Sequence, residues 1–335
     1  LLIGPYKDGT GLIHSAEQLI LSLDAAGIDV VCRPFKLNEV NGEVSPKILE
    51  LEEKSDKGCD IVIQNCLPHH TDYNGYFRKN IAYYFTETSH FRQSSWAERL
   101  NLLDEAWVPC ESVKDASIAS HVKIPLHIVP VPCDVQKYQK VYKPLDMPHL
   151  KDKFTFYTIG EINQRKNLLS LLMAFHIEFK PDEAVELVIK GNIPGLSPID
   201  TDRNIGDICN NAKNNLKLYR KKETYLKETI ITQTLTEEQI MQLHSTCDCY
   251  VSTSYGEGWN MPAFDAMAMG KTPICTAQGG PADYLNDGWL VPYAIQPVFN
   301  MGNTFGDIYT GTEEWCSVSV AALRQAMRNA FENEQ

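Results

Sequence analysis

Ser254-Tyr255-Gly256-Glu257-Gly258-Trp259-Asn260-Met261-Pro262-Ala263-Phe264-Asp265-Ala266-Met267-Ala268-Met269-Gly270 is the densest stretch of the chain. It follows an apolar run at 249–252 that reads as a strand, and it opens a helix over 262–269. Gly256 and Gly258 are expected to let the backbone turn tightly and approach a ligand closely. Pro262 suits the first helical turn, where its missing N–H costs nothing. The N–H groups of Asn260, Met261 and their neighbours would then point outward at the positive end of the helix dipole, an anion site suited to phosphate. Glu257 in the loop and Asp265 eight residues later can accept hydroxyl hydrogen bonds from a sugar and a ribose. The same spacing also fits an ordinary strand-to-helix turn with solvated acids.

Outward from that turn, strand-like and helix-like segments alternate along the chain. Strands are expected at 1–4, 28–32, 61–63, 81–85, 106–108 and 127–131. Leu12, Ile13, Ala16, Leu19, Ile20 and Leu23 give one helix face, closed at Gly27. Residues 140–153, with two prolines and four lysines, read as a linker. Alternation then resumes. Strands are expected at 154–159, 187–189, 229–231, 249–252 and 272–275. Leu168, Leu171, Leu172, Phe175 and Phe179 form a helix face, and Thr236 with Gln239 a capping box. Residues 192–215 read as a surface loop running into a helix. This pattern predicts an α/β protein with two Rossmann-like parallel-sheet domains, 1–145 and 153–335, facing a central cleft. The chain begins at Leu1 inside a strand-like run and ends within an amphipathic helix, so truncation at both ends is expected.

The second signal is Gly160-Glu161-Ile162-Asn163-Gln164-Arg165-Lys166-Asn167, after the first strand of the second half. Arg165 and Lys166 point into the crevice where α/β sheets bind ligands. Two cations at a helix start oppose its dipole unless an anion compensates. Arg165 can hold a diphosphate in a fork and Lys166 can act as a point charge.

Composition narrows the function classes. The chain has 335 residues and a net charge of −12, which argues against nucleic-acid binding through the overall field. Its ten cysteines are scattered, and Cys247 and Cys249 lack a second pair at zinc spacing, so no metal site is expected. A reducing, cytoplasmic location follows from that cysteine usage. No apolar run is long enough to cross a bilayer.

Together the two segments resemble the retaining glycosyltransferases of family 4, which have the GT-B fold. Glu257, Gly258, Trp259, Met261, Pro262, Ala266, Met267, Ala268 and Gly270 match the family's acidic signature, with Asp265 where Glu is usual. Gly160, Arg165, Lys166 and Asn167 match its other signature, with Glu161 where the family often has Arg. In the first half, Gly9-Thr10-Gly11 looks like the glycine-rich first turn and Phe85-Thr86-Glu87-Thr88 like the strand ending in an acid. Trp107-Val108-Pro109-Cys110 and Val129-Pro130-Val131-Pro132-Cys133-Asp134 look like two further family segments. The resemblance covers nearly all of residues 1–295.

The resemblance implies a nucleotide-diphospho-sugar donor in the C-terminal half and transfer with retention, needing no metal or other cofactor. Lys166, Arg165 and Glu257 would carry catalysis. Gly160, Gly258, Trp259, Asn260, Met261 and Asp265 would bind the donor, Asp265 at the ribose. Gly9, Gly11, His14, Glu87 and His90 would line the acceptor side, and the halves would close on the donor. The acceptor would be a glycan, a lipid-linked glycan or a small molecule, and the resemblance is compatible with peripheral contact at the cytoplasmic membrane face. Alternatives are another GT-B activity, such as a glycosyl phosphorylase or epimerase, and a non-catalytic two-lobed binding protein. Asp200-Thr201-Asp202 reads as a solvated loop, His69-His70 as a surface or cleft-edge pair, and Arg220-Lys221-Lys222-Glu223 as a solvated helix face. Tyr73, Tyr76 and Phe77 fit either core packing or stacking on a sugar.

Overall fold

The alternation read from the sequence becomes two parallel sheets. The structure, a computed structural model, describes residues 1–8, 12–37, 42, 44–302, 304 and 307–333, without the side chains of 12 and 13. In the first half the order is β1 (Leu2–Gly4), α1 (Leu12–Ala25), β2 (Cys32–Pro34), α2 (Pro46–Glu53), β3 (Ile61–Asn65), β4 (Lys79–Tyr83), α3 (Trp96–Leu100), β5 (Glu105–Val108), α4 (Glu111–Ala119), β6 (Leu126–Ile128) and α5 (Val135–Gln139). The six strands pair in parallel in the order β2-β1-β3-β4-β5-β6.

The second half runs β7 (Phe154–Glu161), α6 (Leu168–Glu178), β8 (Val185–Asn192), α7 (Pro198–Leu216), β9 (Glu228–Ile231), α8 (Glu237–Thr246), β10 (Cys249–Ser252), α9 (Met261–Ala268), β11 (Ile274–Thr276), α10 (Gly280–Tyr284) and β12 (Leu290–Val291). It continues through β13 (Tyr293–Pro297) and β14 (Glu314–Val318) to α11 (Val320–Asn333). Its sheet is also parallel, in the order β12-β11-β10-β7-β8-β9, while β13 and β14 form an antiparallel ribbon.

Strand periodicity divides the core of this half into two layers. Phe156, Leu187 and Ile189 cluster with Leu172 and Phe175 of α6 and Leu323 and Met327 of α11. Tyr157 and Val188, one residue out of step, cluster with Leu243 of α8 and with Ala263 and Ala266 of α9. A strand buried on both faces reads as a continuous apolar run, which is how 187–189 appears in the sequence.

Two units emerge: Leu1–Lys137 with Gly302–Glu313, and Tyr138–Met301 with Glu314–Gln335. The boundary falls inside α5, ahead of the expected linker at 140–153. Leu145, Met147 and Leu150 pack on the core of the second unit, and the Leu145 N–H donates to Thr246 Oγ1 at 2.8 Å. Residues 302–313, read from the sequence as part of the second domain, return to the first unit, where Ile308 joins the core that holds Phe91, Trp96 and Val113.

Other expectations need correction. β2 begins only at Cys32, since Ile28 is exposed and residues 28–31 lie outside the strand. Asp200, Thr201 and Asp202 lie near the start of α7, not in a loop. Pro198 starts that helix and the Ser197 side chain caps it by accepting from the Asp200 N–H. Residues 220–223 are not a helix face; they lead into a short 3-10 turn at Lys222–Thr224. Tyr73 and Tyr76 are exposed and so belong to no core.

Candidate functional site

Two loops at the carboxyl ends of β7 and β10 are stitched together. In the first, residues 163–167 form a 3-10 turn in which the Asn163 side chain accepts from the Lys166 N–H, and Asn167, in the left-handed conformation, caps α6 through Ser170. Asn167 Nδ2 donates to the Thr253 carbonyl at 3.1 Å and Thr253 Oγ1 donates to the Asn167 carbonyl at 2.9 Å. The Tyr255 N–H donates to the Arg165 carbonyl at 2.8 Å. These bonds carry Arg165 and Lys166 to the loop that holds Glu257.

Glu257 is the centre of the resulting cluster. Lys166 Nζ lies 2.5 Å from Oε1 and Arg165 Nη1 3.3 Å from Oε2. The same guanidinium nitrogen donates to the Gly256 carbonyl at 2.6 Å. Burial alone would raise the Glu257 pKa; the charges of Lys166 and Arg165, helped by hydrogen bonds, prevail and hold it at about 2. The carboxyl is therefore ionised at neutral pH. Gly160 lies beside the stem of Lys166, where a Cβ would come within 3.5 Å of Cε. Cations at a strand's carboxyl end, balanced by a buried carboxylate, form a site that can exchange that partner for a phosphate oxygen.

The rest of the loop is fixed by contacts distant in sequence. Asn260 takes the left-handed conformation at φ 65°, and its side chain caps α9 by accepting from the Ala263 N–H. Gly256 and Gly258 do not supply the positive-φ turns; Asn260 does, with Gly279 on the facing segment. Gly279 has φ +67°, and a Cβ there would sit 1.9 Å from the Glu257 carbonyl oxygen, so only glycine fits. The Tyr284 hydroxyl donates to the carbonyls of Trp259 and Asn260 at 2.9 and 3.0 Å. Trp259 is buried against Tyr284 and Phe264.

Asp265 is 6 % exposed inside α9, and the Tyr138 hydroxyl donates to its Oδ1 at 2.6 Å. Tyr138 and Gly279 are parts of the site that the sequence reading did not name. The glycine pair 279–280 was a visible signal, but Tyr138 stands 127 positions from its partner and carries none.

In the first unit, Tyr309 of the returning segment donates to Glu87 Oε2 at 3.1 Å, and His90 Nε2 lies 3.1 Å from the Thr312 carbonyl. His14 lies on α1, 3.9 Å from Glu17. Gly9 and Gly11 lie outside the described residues. His69 accepts from Trp96 Nε1 at 3.0 Å. Among the described residues no group of three or more His, Cys, Asp or Glu is placed to hold a metal ion, and no helix is long and apolar enough to cross a membrane.

Residues 146–293 match the family described as glycosyl transferases group 1. Over 232 residues, 67 % of this chain, the sequence is 23 % identical to alpha-monoglucosyldiacylglycerol synthase of Streptococcus pneumoniae (strain ATCC BAA-255 / R6), and the chain spans 45 % of the length of that curated relative. The N-terminal domain of Candida albicans trehalose-6-phosphate phosphatase superposes with a TM-score of 0.59 at 12 % identity, covering 92 % of this chain and 77 % of that one. Anabaena HepE, solved in complex with UDP and glucose, superposes with a TM-score of 0.56 at 13 % identity, covering 87 % and 84 %. At such identities the structural likeness speaks for the fold. Residues 146–293 thus match the glycosyl transferases group 1 family, within a chain that takes the GT-B fold.

Proposed function

We propose that this protein transfers a hexosyl group from a nucleotide-diphospho-sugar to an acceptor hydroxyl, with retention of configuration and without a metal ion. The observation that carries the reading is the Arg165–Lys166 pair held on Glu257 at the carboxyl ends of β7 and β10. As the bond from the anomeric carbon to the diphosphate oxygen breaks, negative charge grows on the leaving group. Lys166 and Arg165 are partly buried cations fixed by the loop, and stabilisation of growing charge by fixed groups is the largest electrostatic lever in catalysis. Glu257 would turn from the cations to a sugar hydroxyl, and Asp265, oriented by Tyr138, would accept from the ribose. Gly160, Gly258, Trp259, Asn260 and Met261 would shape the donor site, and Glu87 and His90 would orient the acceptor.

The likeness to an alpha-monoglucosyldiacylglycerol synthase and to the fold of HepE, solved with UDP and glucose, makes UDP-glucose the first donor to try and a lipid among the first acceptors. A lipid acceptor would bring the protein to the cytoplasmic face of a membrane. The test is calorimetric titration with UDP, GDP and ADP in excess EDTA, followed by proton NMR of the anomeric centre in the product. Metal-free binding of one nucleotide and a retained anomer are expected. No binding by a folded sample, or binding only with a divalent ion, would overturn the reading.

A further inference from the structure

β8 buries two charged residues, and while Glu186 is paired with Lys153 and Thr229, Lys190 is not. The strand is buried from Val185 to Gly191, and Lys190 is itself only 8 % exposed. Among the described residues its side chain makes no hydrogen bond or ion pair. Its ammonium is not sealed from solvent, but withdrawing it this far from water without a partner is costly, and an apolar side chain would fill the position without that penalty. Burial accordingly lowers the Lys190 pKa.

The register shows where the side chain lies. Lys190 pairs with Ile159 of β7 on one side and Ile231 of β9 on the other. It follows Val188 in the strand's alternation, so it shares the sheet face of Val188, Ile159 and Ile231. Ile159 and Ile231 are only partly buried, so this end of the face is open. Ile159 also lines, with Gly160, Lys166 and Ser252, a small open recess at the carboxyl end of the sheet, and Lys190 lies beside Ile159 on the next strand. Gly191, the next residue, lies beside Gly160 in register, and a Cβ there would come within 2.7 Å of the Ile162 side chain, which packs over it.

We infer that Lys190 donates a hydrogen bond to a keto oxygen of the donor's nucleobase and so selects uracil or guanine over adenine. The inference rests on the proposed nucleotide-sugar reading. A diphosphate held by Lys166 beside Gly160 leaves the nucleoside to run across the neighbouring carboxyl ends, and β8 is the next strand. An ammonium offers three donors and no acceptor. Uracil and guanine present keto oxygens, whereas adenine presents an amino donor in the equivalent place.

The test is titration of UDP, GDP, ADP and uridine into the wild-type chain and into Lys190→Met, which keeps the volume and removes the charge, with circular dichroism to check the fold. The wild type is expected to bind UDP or GDP at least tenfold more tightly than ADP. Lys190→Met is expected to lose about tenfold for the preferred nucleotide, with uridine weakened in parallel if UDP is preferred, and to bind ADP as before. An equal loss for all three diphosphates would make Lys190 a phosphate contact and overturn the inference, as would an unchanged preference. In those cases wild-type binding keeps the nucleotide-sugar reading standing; a wild type that binds no nucleotide removes both. As a second measurement, acylation of Lys190 in the wild-type chain, followed by mass spectrometry, should slow at saturating preferred nucleotide; a rate insensitive to nucleotide counts against the contact.

Discussion

Glu257 reaches one cation with each of its oxygens, and that division of labour makes the two cations unequal under mutation. Lys166→Ala leaves Arg165 on the carboxylate, so the fold should survive. Turnover should nevertheless fall by roughly 10²–10³, the usual cost of removing one preorganised donor to developing charge; kcat on a nucleotide sugar reads it. An unaltered kcat would take the leaving group away from Lys166. The carboxyl itself carries a pH signature. It is held at about 2 against an ordinary 4.5, so its ionised form is favoured by folding. Its contribution to stability is complete above 4.5 and is lost as pH falls from there towards 2. Glu257→Gln should flatten the fall in stability across that window, as measured by thermal unfolding at stepped pH. If the wild type and the variant lose stability in parallel there, the ion pairs are not what holds the loop.

The elements at the site are ordinary; their seams are not. Asp265 sits inside α9 with the Tyr138 hydroxyl on it, and a buried carboxylate that loses a donor is destabilised by about 2 kcal/mol. Tyr138→Phe should therefore lower the melting temperature by several degrees and weaken nucleotide binding, with calorimetry as the check; a melting curve that does not move would show that the bond contributes nothing. The same seams separate what the sequence makes legible from what it does not. The strand, turn and helix around 249–268 can be read from local signals, because apolar runs, Pro262 and the capping residues act on their own neighbours. The meeting of Arg165 and Lys166 with Glu257 follows from two βα turns on adjacent parallel strands; alternation predicts the parallel sheet, and the strand order places the two turns side by side. Tyr138 on Asp265 and Gly279 against the Glu257 carbonyl are tertiary contacts with no local period. The left-handed residue of this loop is Asn260, whose side chain caps α9, and no local pattern singles it out from the two glycines before it.

At the scale of the whole molecule, strand–helix alternation disclosed two parallel sheets, but composition misplaced the seam between units. Leu145, Met147 and Leu150 are too apolar for a solvated connector and pack on the second core. The return of 302–313 to the first unit left no signature in the sequence, since a short segment carries its address in one or two anchor residues. Ile308 is such an anchor, 8 % exposed in the core that holds Phe91, Trp96 and Val113. Ile308→Asp would bury a carboxylate among apolar side chains. It should raise amide hydrogen exchange in α3 and α4, more than 180 positions earlier in the chain, while leaving α6 and α11 protected. Exchange confined to the segment itself would show that the first unit stands without it. The return also bears on how the protein is made. Chain growth delivers Lys137 first and Ile308 on the order of 170 residues later. At roughly 5–20 residues per second the first unit leaves the ribosome with its core unsealed and waits on the order of ten seconds or more for its last piece, while the unit encoded after it is already emerging.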